Sequence, residues 1–354
     1  MTGLRSLDAE IAARAREMPP PGADPRGRVR RAPPHLRPAP LRFGTRGSPL
    51  ALWQARHFLS VVAGFCPVLR EEDGMLEEVV VATSGDRIQD RRLADVGGKG
   101  LFAKELHEAL LDRRVDLAVH SLKDLETGLP PGVVLACALP REDARDALVL
   151  GPGAAAPDPA DPWAALPRGA LVGTASVRRQ AQLLHARPDL RVGMIRGNVQ
   201  TRLGKVRGEE GGLRATLLAL AGLRRLGLEA EAAAVLDPEA MVPAAGQGVV
   251  GVTVREDDDG LRALLAAIED PEARAVSAAE RALLAALDGS CRTPIGGHAR
   301  LLPGGALRLT GLVARADGSF LLRRTAEGDA ADAARIGREL GEALRRDAPT
   351  DILG

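Results

Sequence analysis

Short apolar runs recur along this chain from Leu41 onward, each broken by Gly, Ser, Thr or Arg and followed by a stretch of helical periodicity. Leu41-Arg42-Phe43-Gly44 reads as a strand, Thr45–Pro49 as a turn and Leu50–Val62 as a helix, with Ser48 as N-cap and Pro49 at the first helical position. Val79–Thr83 reads as a second strand. A loop, Ser84–Gly100, then feeds a helix over Leu101–Arg113 with Phe102, Leu106, Ala109 and Leu110 on one face. Val115–Val119 is a run suited to a buried parallel strand, and it breaks into His120, Ser121, Lys123 and Asp124. Gly132–Ala138 is another strand-like run, Arg141–Asp146 a charged crossing, and Gly151–Pro167 a surface loop.

The strand-turn-helix unit then repeats. Ala170–Gly173 leads through Thr174-Ala175-Ser176 to a helix over Val177–His185, and Arg191–Ile195 leads through Arg196-Gly197-Asn198 to a helix bearing Arg202 and Lys205. Ala215–Ala221 turns at Gly222 into Leu223-Arg224-Arg225-Leu226. After the Gly-rich stretch Met241–Gly251 around Gln247, Val249–Val254 returns as a strand, as expected at the hinge of a two-lobed fold. From Pro271 the pattern changes to one Ala/Leu-rich helix over Pro271–Leu287. Three strand-like runs (His298–Leu302, Leu307–Ala314, Phe320–Ala326) and a closing helix over Ala330–Arg346 follow, which is a small α+β domain.

At 354 residues the chain exceeds one ordinary core, so two or three domains are expected. Residues 1–40, rich in Pro and Arg, read as a disordered extension without chemistry of its own. Tyr is absent, Trp numbers two and Phe five, which argues against base-stacking platforms for single-stranded nucleic acid. The net charge of +1 gives no global field to recruit a polyanion, so any basic site is local. No apolar run approaches the ~18 residues that span a bilayer. Three cysteines are too few for a disulfide scaffold and point to a reducing compartment, hence a cytoplasmic protein.

Candidate chemistry collects at the strand-to-helix junctions. Arg46, Lys99, Lys123, Arg178, Arg179, Arg196 and Arg202 all fall there, where helix N-termini and guanidinium forks favour anions. Each alone is a surface side chain; together they describe a cleft for a small polyanion, and phosphate and polycarboxylate ligands fit equally. The Gly-rich loop Val96–Gly100 lacks the spacing of a phosphate-binding P-loop, so Lys99 is kept as a mobile-loop cation and a nucleotide is excluded. Asp124 beside Lys123 is a candidate acid/base. Cys137 and Cys66 read as structural thiols. Cys291, on the loop Asp288–Gly297 beside Arg292, is placed where a cation favours thiolate. Two alternatives stand at this level: a non-catalytic two-lobed anion-binding module, and a thiol hydrolase pairing Cys291 with His298.

Seven stretches carry a resemblance to a known family. They are T-R-G-S-P-L-A-L-W-Q (Thr45–Gln54), V-G-G-K-G-L-F-A-K-E-L (Val96–Leu106), H-S-L-K-D (His120–Asp124), G-T-A-S-V-R-R-Q (Gly173–Gln180), R-G-N-V-Q-T-R-L (Arg196–Leu203), P-A-A-G-Q-G (Pro243–Gly248) and the Cys291 loop. In these the chain resembles the porphobilinogen deaminases, or hydroxymethylbilane synthases. The resemblance implies an α/β fold of two doubly wound, periplasmic-binding-protein-like lobes plus a small C-terminal α+β domain. Its expected division is 41–140 with 248–267 for the first domain, 141–247 for the second and 268–354 for the third.

The implied activity joins four porphobilinogen units with release of ammonia, then hydrolyses the chain to hydroxymethylbilane. The implied cofactor is a dipyrromethane bound by thioether to Cys291, one per chain, in a monomeric cytoplasmic enzyme of tetrapyrrole and heme biosynthesis without nucleic-acid or membrane partners. By resemblance Asp124 is catalytic. Ser48, Lys123, Thr174, Ser176, Arg178, Arg179, Gly197 and Gln247 hold the cofactor, and Arg46, Lys99, Ser121, Arg196, Arg202 and Arg225 hold the substrate. No metal is implied. Neighbouring cations favour ionised Asp124 and desolvation by bound pyrroles opposes it. Two departures stand out: Asp95, where the family often has Lys, and Glu126, where H-S-x-K-D-x-P would end in proline.

Overall fold

Three sheets organise the residues that the computed structural model describes, namely 40–66, 69, 74–88, 100–288 and 293–353. The extension expected over residues 1–40 lies outside them apart from Pro40. In chain order the first ten strands are β1 (Leu41–Thr45), β2 (Leu76–Val80), β3 (Leu117–Ser121), β4 (Val133–Ala138), β5 (Asp146–Leu150), β6 (Leu171–Gly173), β7 (Arg191–Gly193), β8 (Leu213–Ala219), β9 (Ala234–Val235) and β10 (Val250–Arg255). The first sheet runs β2-β1-β3-β10-β4 and the second β7-β6-β8-β5-β9. In each, the first three strands are parallel and the fourth is antiparallel to its neighbours.

The two antiparallel strands are the ones next to the crossings. β5 opens the second sheet directly after the chain leaves the first, and β10 returns between β3 and β4 after the second sheet is complete. The return strand expected near Val249 is thus present and central.

Helices cover the sheets where their apolar stripes dictate. They are α1 (Pro49–Phe65), α2 (Lys104–Leu111), α3 (Val177–Ala186), α4 (Val199–Arg207), α5 (Leu220–Arg225), α6 (Asp259–Ile268), α7 (Pro271–Ala286) and α8 (Ala333–Asp347). α1 buries Ala51, Ala55, Phe58, Leu59 and Val62, and Ser48 caps it by accepting from Ala51 N. Phe43, Phe58, Leu117 and Val252 share that core, each burial stabilising by about 1.5–3 kcal/mol. In the third unit β11 (Ile295–Leu301), β12 (Ala306–Ala314) and β13 (Leu321–Asp329) form an antiparallel meander packed against α7 and α8. The molecule is therefore two α/β lobes and a small C-terminal α+β domain. No helix among the described residues is long and apolar enough to cross a membrane.

Several element boundaries differ from the sequence reading. β3 runs to Ser121 rather than ending at Val119, because β10 pairs with it and gives the buried His120 ring a partner, Thr253 Oγ1, at 2.9 Å from Nε2. β2 lies at Leu76–Val80 instead of Val79–Thr83. α2 is shorter than Leu101–Arg113: Arg113 adopts φ +59, which stops the helix, and Phe102 leaves the helical face. Asp146 was expected in a solvated crossing, yet it begins β5 with no exposed surface. α8 begins at Ala333, after a tight turn over Ala330–Asp332.

The crossings and the third domain meet at Glu280 of α7, which is fully buried. Its carboxylate accepts from Arg141 Nη1 (2.7 Å) on one crossing, Gly246 N (2.6 Å) on the other and Ala299 N (2.7 Å) of β11. Arg141 Nε also donates to Gln247 O at 2.9 Å. Close approach makes Gly248 obligatory: with φ +89, a Cβ there would stand 2.1 Å from Glu142 O. Removing one partner of a buried pair costs about 3–5 kcal/mol. Glu280→Ala is therefore expected to lose that much stability in urea unfolding, and a loss below about 1 kcal/mol would show that the crossings hold without it.

Candidate active site

The first lobe supplies an acid and two cations from the carboxyl ends of adjacent parallel strands. The chain leaving β1 places Arg46 in the turn before α1, and the chain leaving β3 tightens into a single turn over Leu122–Asp124, anchored by buried Leu122. Arg46 Nη1 stands 3.4 Å from Asp124 Oδ2. The rest of its guanidinium grips Asp86 through Nε (3.0 Å) and Nη2, and the group lies over the Phe102 ring, 4.1 Å from the centroid. Thr83 Oγ1 in turn donates to Asp86 Oδ2 at 2.7 Å. Burial works against the Arg46 charge, but the Asp86 and Asp124 carboxylates hold its pKa above the ordinary value.

Asp86 and Phe102 were not singled out as site residues in the sequence. The signal for Asp86 was an acid in a post-strand loop, Thr83-Ser84-Gly85-Asp86, at a junction of the same kind as those supplying the cations.

The second lobe answers with its own strand ends. Ser176 caps α3 by accepting from Arg179 N (3.4 Å), and Thr174 Oγ1 accepts from Ser176 N (3.1 Å). Arg178 and Arg179, both buried, donate to opposite oxygens of Asp146 at 2.8 and 2.7 Å. Their remaining Nη groups meet Val242 O and Leu217 O. Gln247 Nε2 donates to Asp146 Oδ1 (2.8 Å), and its Oε1 accepts from Lys123 Nζ of the first lobe at 3.3 Å. Burial alone would raise Asp146, but Arg178 and Arg179 hold it far below the usual carboxylate range.

Arg196 crosses the cleft from lobe two, its Nη2 donating to Gly85 O (3.2 Å) and Ile88 O (2.8 Å). Gly197, at φ +112, has no room for a Cβ, which would lie 2.6 Å from Thr201 Cγ2, and its carbonyl accepts from Arg202 Nε at 2.9 Å.

These groups converge. Burial, with Arg179 and Arg178 adding to it against Asp124 and Asp146, pushes the Lys123 ammonium down to about 8. Burial, then Arg179 and Arg196, pushes Arg202 down to about 10 despite the pull of Asp124. Burial and Arg46 lower Arg196 as well. Among the described residues the cleft thus holds more buried and half-buried positive charge than its carboxylates neutralise. Arg196 Nη1 and Arg179 Nε are buried without a hydrogen-bond partner among the described residues. A ligand bearing several carboxylates matches this donor set.

Other expected residues sit elsewhere or outside the description. Ser121 Oγ exchanges hydrogen bonds with the Gln54 side-chain amide at 2.9 and 3.0 Å, and the Ser48 hydroxyl is used as a helix cap. Arg225 lies at the crossing, its Nη2 on Gly248 O (2.7 Å) and its guanidinium 5.6 Å from the Trp53 ring centroid; burial pushes it down to about 10 against the pull of Glu142. Lys99, Asp95 and Cys291 lie outside the described residues. Cys66 and Cys137 are buried, and burial followed by Glu269 pushes the Cys137 thiol up to about 12. Burial, with Arg141 and Arg300, pushes His298 down to about 4. Among the described residues no group of three or more His, Cys, Asp or Glu could hold a metal ion.

Residues 41–263 match the family model described as porphobilinogen deaminase, dipyromethane cofactor binding domain, and residues 275–346 match that of the porphobilinogen deaminase C-terminal domain. The chain is 49% identical to the porphobilinogen deaminase of Sorangium cellulosum over 313 residues, covering 87% of this chain and 99% of that one. Identity is 48% to that of Paracoccus denitrificans over 316 residues (88% and 96%). To the chloroplastic porphobilinogen deaminase of Oryza sativa subsp. japonica it is 45% over 307 residues (86% and 83%). Among solved structures, the periplasmic VFT2 domain of Bordetella pertussis BvgS aligns with 68% of this chain and 92% of its own, at 14% identity and a TM-score of 0.34. With seven motifs in order, a cation-lined cleft around Asp124 and relatives matched over nearly their whole length, this chain belongs to the porphobilinogen deaminase family.

Proposed function

We propose that this protein is a working porphobilinogen deaminase, a transferase that condenses four porphobilinogen units onto a dipyrromethane held by Cys291, releases ammonia at each step and hydrolyses the product to hydroxymethylbilane. The observation that carries this reading is the surplus, among the described residues, of buried and half-buried positive charge around Asp124. Lys123, Arg178, Arg179, Arg196 and Arg202 converge near Asp124, and Asp146 compensates only part of their charge. An anion-binding module would need the cations and their counter-ions but not Asp124 among them. The same reading divides the chain at 41–140 with 248–267, 141–247 and 268–354, and makes it a monomer of the cytoplasm.

The dipyrromethane, when bound, supplies the free pyrrole carbon to which the next unit is joined. Lys123, Thr174, Ser176, Arg178, Arg179, Gly197 and Gln247 would hold its carboxylates, with Ser48 at the neighbouring helix start. Arg46, Arg196 and Arg202, with Lys99, Ser121 and Arg225, would receive the acetate and propionate of the incoming unit. Asp124 is the acid/base within reach of the leaving amine and the pyrrole proton, and its fixed charge offsets positive charge developing on the attacked ring. Arg46, braced on Asp86 and Phe102, keeps the Asp124 carboxylate in place.

Intact-mass measurement is expected to show the purified chain heavier by two linked pyrrole units, an adduct absent from Cys291→Ser. Active enzyme of bare polypeptide mass would overturn the assignment of Cys291. For Asp124→Asn the expected loss of turnover is on the order of 10²–10⁴-fold with the adduct still attached. Turnover within a factor of about three of the parent would remove Asp124 from the chemistry.

Lys123 predicts a pH dependence. Its folded pKa of about 8 lies below its ordinary 10.5, so the folded chain sheds this proton early, and the strain of keeping the cation buried is relieved as pH rises between those values. A bound carboxylate favours the protonated form. In the cofactor-free Cys291→Ser chain, the Kd of a soluble pyrrole polycarboxylate is thus expected to climb above about pH 8, by no more than about tenfold per pH unit, and to be high but flat there once Lys123→Met is added. An unchanged climb in Lys123→Met would assign the titration to another group.

A further inference from the structure

Two residues beyond Asp124 the chain reaches Glu126, and four separate parts of the molecule meet there. The Glu126 Oε1 oxygen stands 3.4 Å from Nδ1 of His107 on α2, an ion-pair distance without hydrogen-bond alignment. Its other oxygen, Oε2, is buried without a hydrogen-bond partner among the described residues and lies against Gly100, where an added Cβ would come within 2.8 Å of it. Its main-chain carbonyl and that of Thr127 accept from Arg281 Nη2 of α7 at 2.9 and 3.0 Å. On the other side the His107 ring, only 2% exposed, packs at 5.5 Å from the ring of His120 in β3.

The groups facing this pair are therefore His120, Arg281 and, through its charge on His120, Arg46. Burial raises the Glu126 carboxyl, but His107 and Arg281 more than offset it, so its pKa falls below the ordinary value.

A carboxylate and an imidazole buried together, with polar atoms on both left unpartnered among the described residues, need a reason to be there. The backbone suggests one. Leu125 has φ −81 and ψ 135, the extended geometry that a residue preceding proline is forced to adopt. Glu126 occupies the place where the H-S-x-K-D-x-P pattern would set a proline, which would fix the chain after the catalytic turn covalently. We propose that the His107–Glu126 pair is a positioning device that replaces this covalent restraint, holding the turn Leu122–Asp124 so that Asp124 stays in register with Arg46. The inference rests on the deaminase reading above. His107 and Glu126 act only through the placement of Asp124.

Steady-state assay of the full-length, cofactor-loaded enzyme tests it. Misplacing a catalytic group by about 1 Å can cost up to ~10²-fold. Glu126→Ala is therefore expected to lower kcat about tenfold while KM stays within about twofold and the pyrrole adduct remains on the chain. His107→Leu is expected to do the same, and the double variant to be no worse than either single one. Glu126→Pro is expected to recover most of the lost kcat, because a restraint and not a charge is what the site requires.

Full kcat in Glu126→Ala would show that the pair positions nothing. Failure of Glu126→Pro to recover turnover while it folds with the parent's melting temperature would show that the carboxylate acts by its charge, and would overturn the proposal. Losses in Glu126→Ala and His107→Leu that multiply in the double variant would also overturn it. Parent enzyme without deaminase activity would instead refute the functional reading itself, so the two failures are distinguishable.

Discussion

Two guanidinium groups on neighbouring residues, Arg178 and Arg179, share the single buried carboxylate of Asp146, and the cleft depends on that sharing. Unit charges about 4 Å apart interact by ~4 kcal/mol even at the effective dielectric of a protein surface. Two unscreened cations on one helix would therefore turn away from each other and from the interior. Asp146 removes that repulsion and fixes both planes, while Gln247 links the same carboxylate to Lys123 on the opposite lobe. One anion among several cations leaves a residue of positive charge, which is the property a polycarboxylate ligand reads. The stability of the cleft and its affinity thus come from the same imbalance: full neutralisation would leave nothing to bind with, and none would leave nothing folded.

The cations were legible in the sequence because their positions are periodic. Arg46, Lys123, Arg178, Arg179, Arg196 and Arg202 recur at strand-to-helix junctions, and parallel sheets bring such junctions to one edge. Their counter-ions were not legible. Asp146 sits in Arg141-Glu142-Asp143-Ala144-Arg145-Asp146, a run that looks solvated, and only the antiparallel pairing of β5 with β8 carries it inside. Asp86 was only partly hidden: its place in a post-strand loop is local, but its pairing with Arg46, 40 residues earlier, is not.

Element identity was also more legible than element ends. The His120–Ser121 pair looked like the polar close of a strand, yet β10 arrives late in the chain to bury His120 against Thr253. Arg225 illustrates the converse. Its neighbours in sequence suit a ligand contact, and they give no sign that the crossing also brings the Gly248 carbonyl onto one of its Nη groups. Periodicity reports what a residue's own element does; it is silent on a partner that comes from a distant segment.

The late arrival of β10 carries a consequence for biosynthesis. The second sheet is assembled from one continuous stretch, β5 to β9, so every strand it needs is translated before β10. The first sheet, begun earlier, is missing the strand between β3 and β4 until then, and the facing edges of those two remain open to wrong partners in the interval. The lobe that starts first is the one that finishes last, and the nascent chain must keep its half-built sheet shielded while its neighbour folds.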